Sequence, residues 1–265
     1  MINNYRFKKF PSSRIATFDI FTVGLKKHHI IALLEFDVTD SRTRLRKLRK
    51  GGISVSLNAW LIKVIGEVLK KYPGAASYLY NKRNLLLCND VNVSFLVEKK
   101  LGENKVPIPL VICNVNGKTA YEIGKEIEQA VNQELKASDI VLKRQSAIYE
   151  RTYYHLPGFA RRLFWKILLK KPERAFSTMG NVSVTSVGMM GRINGWFIHK
   201  SVHPLSFGIG SVIRKPVVEG NEIKIRDVLN MTILIDHDVI DGAPMVRFLN
   251  ELTDYIESGK FIQPA

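Results

Sequence analysis

Two periods of apolar residues alternate along this chain, and their order lays out its elements. "HHIIALLEFDVTDS" alternates as a strand and leads, through Asp40 or Ser41 as an expected cap, into the basic run "SRTRLRKLRK". "ISVSLNAWLIKVIGEVLKKYPG" changes to helical spacing: Leu57, Trp60, Leu61, Val64, Ile65 and Val68 share a face, and Tyr72-Pro73-Gly74 stops it. "NLLLCNDVNVSFLVEKK" reads as two strands around Asn89-Asp90, and "VPIPLVICNV" as another. "TAYEIGKEIEQAVNQEL" is a helix with Ile123, Ile127 and Ala130 inward; "NVSVTSVGMMG" is an alternating strand closed by glycine. The stretch from Pro204 to Val239 gives further strands with a turn at Glu219-Gly220-Asn221. A last helix carries Pro244 in its first turn, buries Met245, Leu249, Leu252 and Ile256, and stops at Gly259. Strands and helices mix without a strict βαβ rhythm, which predicts an α/β or α+β domain with a mixed β-sheet flanked by helices.

Composition narrows the class. The 265 residues are 46% apolar, enough for a substantial core, and with no repeat or low-complexity linker they read as one domain, 1–265. No run of 18 apolar residues predicts a membrane-spanning helix, and "MINNYRFKKFPSSR" lacks the apolar centre of a secretory signal. Cys88 and Cys113 form neither a disulfide framework nor a metal spacing, so a reducing cytoplasm is the expected location.

Charge adds a question. The formal net charge is +16, from 40 basic and 24 acidic residues. Residues 136–174 hold ten Lys/Arg against three Asp/Glu, and 41–50 add six more basic residues. Nucleic acid, an anionic membrane surface, an acidic partner and a phosphorylated ligand all fit such a balance. No nucleic-acid motif accompanies it, so solvated helix faces are the plainer reading.

The chemistry gathers at "MTILIDHDVIDGAPMVRFLNEL". A lone histidine is most often structural, but His237 stands where an apolar strand ends, with Asp241-Gly242 four and five residues on. An acid–base imidazole needs a tuned environment and a fixed tautomer, which a strand end against a tight turn supplies. His199 and His203 are also four apart but have no third partner at metal-ligand spacing, so no metal is expected. No Gly-x-Ser-x-Gly elbow supports a serine hydrolase.

"DHDVIDGAP" resembles the His-x-x-x-Asp-Gly signature of the catalytic domain of dihydrolipoamide acyltransferases, the core components of 2-oxo-acid dehydrogenase complexes. "LLEFDVTDSRTRLRKLR", "ISVSLNAWLIKVIGEVLKKYP", "DVNVSFLVEKK" with "VPIPLVI", and "NVSVTSVGMMG" fall in that family's order, so the resemblance runs from about residue 14 to 259. It implies the CoA-dependent acyltransferase fold shared with chloramphenicol acetyltransferase. His237 matches the general base, and Asp241 the carboxylate of the signature, which is mainly structural. By analogy with the acetyltransferase branch, Arg14 is expected to pair with Asp241. Thr185 stands where the family has a serine that steadies the oxyanion; threonine keeps the donor and adds a methyl, and neighbouring Ser186 is an alternative. Asp238 replaces an arginine usual in the dehydrogenase branch.

The resemblance further implies coenzyme A as acyl-CoA substrate, an unidentified acceptor, and a homotrimer with its sites at subunit interfaces. No lipoyl or subunit-binding domain is expected here, so a lipoylated protein in trans is one candidate acceptor. The stretch 137–177 is longer than the family needs between its helix and the "VSVTSVG" strand, and reads as a basic, aromatic insert. A helix is expected over 159–170, near the mouth of the channel to His237, burying Phe164, Leu168 and at least one of Trp165 and Ile167. The choices for it are a lid, a partner-docking helix or a membrane-surface helix, with a packed cover preferred. Acyltransferase is thus the leading function; a non-catalytic trimeric scaffold and an anionic-surface binder are the alternatives.

Overall fold

The computed structural model describes residues 6–7, 13–101, 104–132, 153, 155–188 and 193–263. The parts of the insert at 137–152 and 154 lie outside the described residues. Seven helices are described: α1 (Ser13–Gly24), α2 (Thr39–Lys50), α3 (Leu57–Lys71), α4 (Ala120–Asn132), α5 (Gly158–Leu169), α6 (Pro172–Met179) and α7 (Gly242–Glu257). The strands are β1 (His29–Asp37), β2 (Tyr78–Tyr80), β3 (Asn84–Leu86), β4 (Val93–Leu101), β5 (Asn104–Ile112), β6 (Val182–Ser186), β7 (Leu205–Glu219) and β8 (Glu222–Asp236). Six of them form one mixed sheet in the order β1-β8-β7-β6-β4-β5, parallel only where β6 meets β4 and β7. β2 and β3 pair separately, so the two strands expected around Asn89-Asp90 belong to different sheets.

The helices take one face of the large sheet. Val182 and Val184, Leu205, Phe207 and Ile209, and Leu229, Met231, Ile233 and Ile235 all point into one core with Trp60, Ile65, Ile123, Phe248 and Leu252. α3 begins on Ser56, whose hydroxyl accepts from the Ala59 amide at 3.1 Å, and its indole Trp60 donates to the Lys260 carbonyl at 2.8 Å. α2 starts a little earlier than Asp40 or Ser41. Its cap position is Val38, without a side-chain bond, while the buried Ser41 hydroxyl donates to the Ile256 carbonyl of α7. The Gly220 turn joining β7 and β8 has φ of 63°, a conformation open to glycine at no steric cost.

A second, smaller cluster holds α1, α5 and α6 beside the sheet: Trp165, Ala175, Met179, Val202 and Tyr78 are buried, with Ile20, Phe21, Leu168 and Leu169 packed against them. A polar latch roots it. The buried Asp19 carboxylate of α1 accepts from Arg161 Nε at 2.6 Å and from the Tyr153 hydroxyl at 3.0 Å, and Tyr153 accepts from Trp165 Nε1 at 2.8 Å. The helix expected at 159–170 is therefore present, and Trp165 is buried, but Phe164 is 41% exposed and Ile167 47%. Trp165 fills the place facing α1, and Phe164 packs edge-on against Tyr153 and Trp165 with its other side exposed. His203 lies in the same region with Nε2 on the Met179 carbonyl at 3.1 Å, and burial pushes its pKa down to about 4.

Two stability measurements follow. Arg161→Ala leaves the Asp19 carboxylate buried without its cation and should cost about 3 kcal/mol, read from urea unfolding. His203 is held below its unfolded pKa of about 6.5, so the unfolded chain binds the extra proton first. Stability is therefore expected to fall as pH drops from about 6.5 toward 4, by on the order of 1 kcal/mol per pH unit for this one group. His203→Gln, which keeps a donor for Met179, should flatten that slope in thermal melts across the window.

Candidate active site

Opposite the helices, the large sheet carries a polar face. The two-residue strand period that points Val184, Phe207, Met231 and Ile233 into the core turns Ser183 and Thr185, Ser206 and Gly208, and Asn230, Thr232 and Asp236 the other way. Register sets Thr185, Gly208 and Thr232 side by side on three neighbouring strands. Residues 193–204 run over this face without regular structure, tied by Asn230 Nδ2 to the Gly195 carbonyl at 3.2 Å and by Trp196 Nε1 to the Leu34 carbonyl at 3.0 Å. His199 Nε2 lies 2.6 Å from the Ser206 hydroxyl, and its ring packs flat against Gly208, where a Cβ would stand 2.7 Å from Nδ1. Only glycine leaves that room. Burial pushes the His199 pKa down to about 4, which keeps the ring neutral. Among the described residues His199 Nδ1, Asn230 Oδ1 and Thr232 Oγ1 are buried without a hydrogen-bond partner. His199 and His203 thus serve separate bonds.

The strand end at His237 is held by its backbone and by its neighbours' carboxylates. The Asp236 amide donates to the Pro204 carbonyl at 2.9 Å, the Val239 amide to the Asp236 carbonyl at 3.2 Å, and the His237 amide to the His28 carbonyl at 3.0 Å. The buried Asp236 carboxylate pairs with Lys27 and accepts from the Asp238 amide at 3.3 Å. His28 Nδ1 lies 3.0 Å from the Asp238 carboxylate, a contact that raises the His28 pKa. The His237 side chain itself is exposed in the single chain. Asp241 is exposed as well, at the N-cap position of α7 and without a side-chain cap bond.

Arg14 and Asp241, paired by expectation from the resemblance, stand in the first turn of α1 and at the N-cap of α7. The residues that reach the strand end, Lys27 and His28, follow the other end of α1. Lys27–Asp236 and His28–Asp238 hold this corner. Sequence reasoning missed Lys27 and Thr232, and weighed His199 only as a metal ligand rather than as the partner of Ser206.

Thr185 and His237 do not meet within one chain. Thr185 is level with Thr232 two strands away, and His237 follows five residues later along β8, a backbone separation of roughly 19 Å from strand rise and spacing. Beside the end of β6, at Ser186, opens a cavity of about 890 Å³ lined also by Ser56, Asn58 and the arginines Arg42, Arg46, Arg49 and Arg214; Thr185 is not in its wall. Arg42 is paired with Asp227 at 2.5 Å, which leaves the cavity wall predominantly cationic. Arg42, Arg46 and Arg49 recur at helical spacing along α2, so part of the basic run faces a cavity rather than open solvent.

Comparison with known proteins points one way. Residues 170–263, which include Thr185, Ser186, His237 and Asp241, match the family model of the 2-oxoacid dehydrogenases acyltransferase (catalytic domain). The chain is 25% identical over 245 residues to the dihydrolipoyllysine-residue acetyltransferase component of the pyruvate dehydrogenase complex of Mycoplasma genitalium, covering 88% of this chain and 53% of that protein. It is 22% identical over 236 residues to the lipoamide acyltransferase component of the branched-chain alpha-keto acid dehydrogenase complex of Bacillus subtilis, covering 87% and 47%. The chain thus spans about half the length of these curated relatives. In fold it matches a probable dihydrolipoamide acetyltransferase from Listeria monocytogenes with a TM-score of 0.69 at 18% identity, covering 100% of this chain and 99% of that one. The dihydrolipoamide acetyltransferase of Azotobacter vinelandii, studied for the catalytic role of a serine, a histidine and an asparagine, gives 0.69 at 20% identity, covering 98% and 96%. Chloramphenicol acetyltransferase gives 0.53 at 10%, covering 97% and 100%. Residues 170–263 thus resemble the catalytic domain of the 2-oxoacid dehydrogenase acyltransferases in sequence, and the whole chain shares the fold of dihydrolipoamide acetyltransferase.

Proposed function

We propose that this chain is an acyltransferase that moves an acyl group from a coenzyme A thioester to a thiol, hydroxyl or amine acceptor, with His237 as general base. One observation carries the reading: the segment matching the acyltransferase catalytic-domain model contains both the strand-end histidine and the hydroxyl of Thr185. The acceptor's X–H gives its proton to His237, and the freed lone pair attacks the thioester carbonyl directly. The carbon becomes tetrahedral and its oxygen takes the negative charge, where the Thr185 hydroxyl donates. Collapse breaks the carbon–sulfur bond, and the departing thiolate recovers the proton from the imidazolium.

The separation of Thr185 from His237 supports building the site from two copies, with the histidine of one chain reaching the hydroxyl of its neighbour. A homotrimer does this around a ring, and the exposure of His237 in the single chain fits such an interface. The cationic cavity beside Ser186 suits the phosphates of coenzyme A, which gives the basic helix α2 a use. A lipoylated protein supplied in trans is the acceptor suggested by the relatives' names. A cytoplasmic location belongs to the same proposal.

Acetyl-coenzyme A with dihydrolipoamide, followed by chromatographic separation of free coenzyme A and S-acetyldihydrolipoamide, tests it. His237→Ala should lower turnover roughly a thousandfold. Its melting temperature should stay put, because the exposed side chain contributes no contact that the backbone bond to His28 does not preserve. Thr185→Val should lower kcat roughly a hundredfold while Thr185→Ser retains it. Turnover in His237→Ala equal to the parent chain would remove the histidine from the mechanism.

A further inference from the structure

Helix α5 turns its apolar stripe outward. Phe159, Leu163 and Ile167, each four residues from the next, are 70%, 52% and 47% exposed. Phe164 beside them is 41% exposed. Arg162, Lys166 and Lys170 form a parallel exposed row one step round the helix, and Lys171 extends it. From His155 to Lys171 there is no acidic residue. An ordinary surface helix points its apolar stripe at the core; here Trp165, Leu168 and Leu169 serve that purpose on the other side.

We propose that this face docks on an anionic phospholipid surface, with the Phe159–Leu163–Ile167 stripe entering the headgroup region and the Arg162–Lys166–Lys170 row meeting lipid phosphates. Apolar residues flanked by arginine and lysine, on a helix lying flat, are what such an interface accommodates. No helix among the described residues is long and apolar enough to cross a membrane, so this is attachment to a surface. The helix is already folded and fixed through Arg161 and Trp165 to the Asp19–Tyr153 latch, so docking needs no ordering step. A second copy is a poor occupant, because a symmetric contact sets one basic row against the other in a chain of net charge +16. The inference does not depend on acyl transfer, and its test reads no activity.

The experiment is cosedimentation of the full chain with vesicles of phosphatidylcholine alone, or mixed with phosphatidylglycerol. Binding is expected only to the anionic vesicles, and should weaken as salt is raised. Leu163→Ser with Ile167→Ser, and separately Arg162→Glu with Lys166→Glu, should each weaken it roughly tenfold, with circular dichroism melts unchanged. Another exposed apolar face, on the β7–β8 hairpin, provides the control: Val218→Ser with Ile223→Ser should leave binding as it was. Absence of binding, binding indifferent to the α5 variants, or loss with the hairpin variant overturns the proposal. So does a drop in oligomer size by sedimentation velocity when the α5 stripe is changed, which would assign that face to a protein contact.

Discussion

The long antiparallel pairing of β7 with β8 sets the position of nearly everything chemical in this molecule. Strand side chains alternate with a period of two, so the register Gly208↔Thr232 decides at once which residues enter the core and which line the opposite face. A slip by one residue would turn Met231, Ile233 and Ile235 out and drive Asn230, Thr232 and Asp236 against the α3 and α7 side chains. The penalty for burying those polar groups among apolar ones makes the register strongly specified. β6 then joins β7 in parallel and fixes Thr185, while the end of β8 fixes His237. The hydroxyl and the imidazole are thus placed by one ladder, at different points along it.

Local periodicity was enough to read most of this framework. α3, α4, α7 and the strands of the large sheet follow from apolar spacing, and Ser56 caps α3 because a short hydroxyl before a helical run has an orphan amide to satisfy. The strand-end position of His237 was legible for the same reason. What escaped were contacts between residues far apart in sequence. Lys27–Asp236 joins residues 209 apart, and Asp19–Arg161 joins residues 142 apart. No pattern within a window announces either. Nor does any local pattern announce that Lys27 and His28 make ion pairs with the strand-end carboxylates. Phe164 is 41% exposed where burial was expected, because helical spacing gives a face its composition but not its depth, and Trp165 takes the buried position.

The chain's positive charge also resolves into parts with different surroundings. Arg42, Arg46 and Arg49 share a cavity wall with Arg214, beside Ser186 at the end of β6. Arg162, Lys166 and Lys170 lie on α5, beside exposed apolar residues and on the smaller cluster. Arg161, one residue from Arg162, is withdrawn from both by a buried carboxylate. Net charge alone would have pooled these groups, although a cavity, a surface stripe and an internal ion pair make different demands on a guanidinium. Cavity arginines gain from desolvation near phosphate, a surface row is screened by salt, and the internal pair matters chiefly by what its loss would expose.

The two clusters are coupled at the His237 corner. α1 is held to α5 by the Asp19 latch at the level of Tyr153, and the chain leaving α1 supplies Lys27 to Asp236 and the His28 carbonyl to the His237 amide. His203, whose backbone carbonyl accepts from the His29 ring, binds the end of α6 through its own ring. A disturbance of α5 therefore has a continuous path, through packed and hydrogen-bonded groups, to the backbone that carries His237. Continuity of contact is not itself a coupling free energy; that requires two arrangements of the corner with different populations. What the geometry does show is that α5 packs on α1, the helix whose following residues hold the strand end. The outward face of α5 is free of that duty, because the residues that bind α1 and the residues that face solvent lie on opposite sides of the same helix.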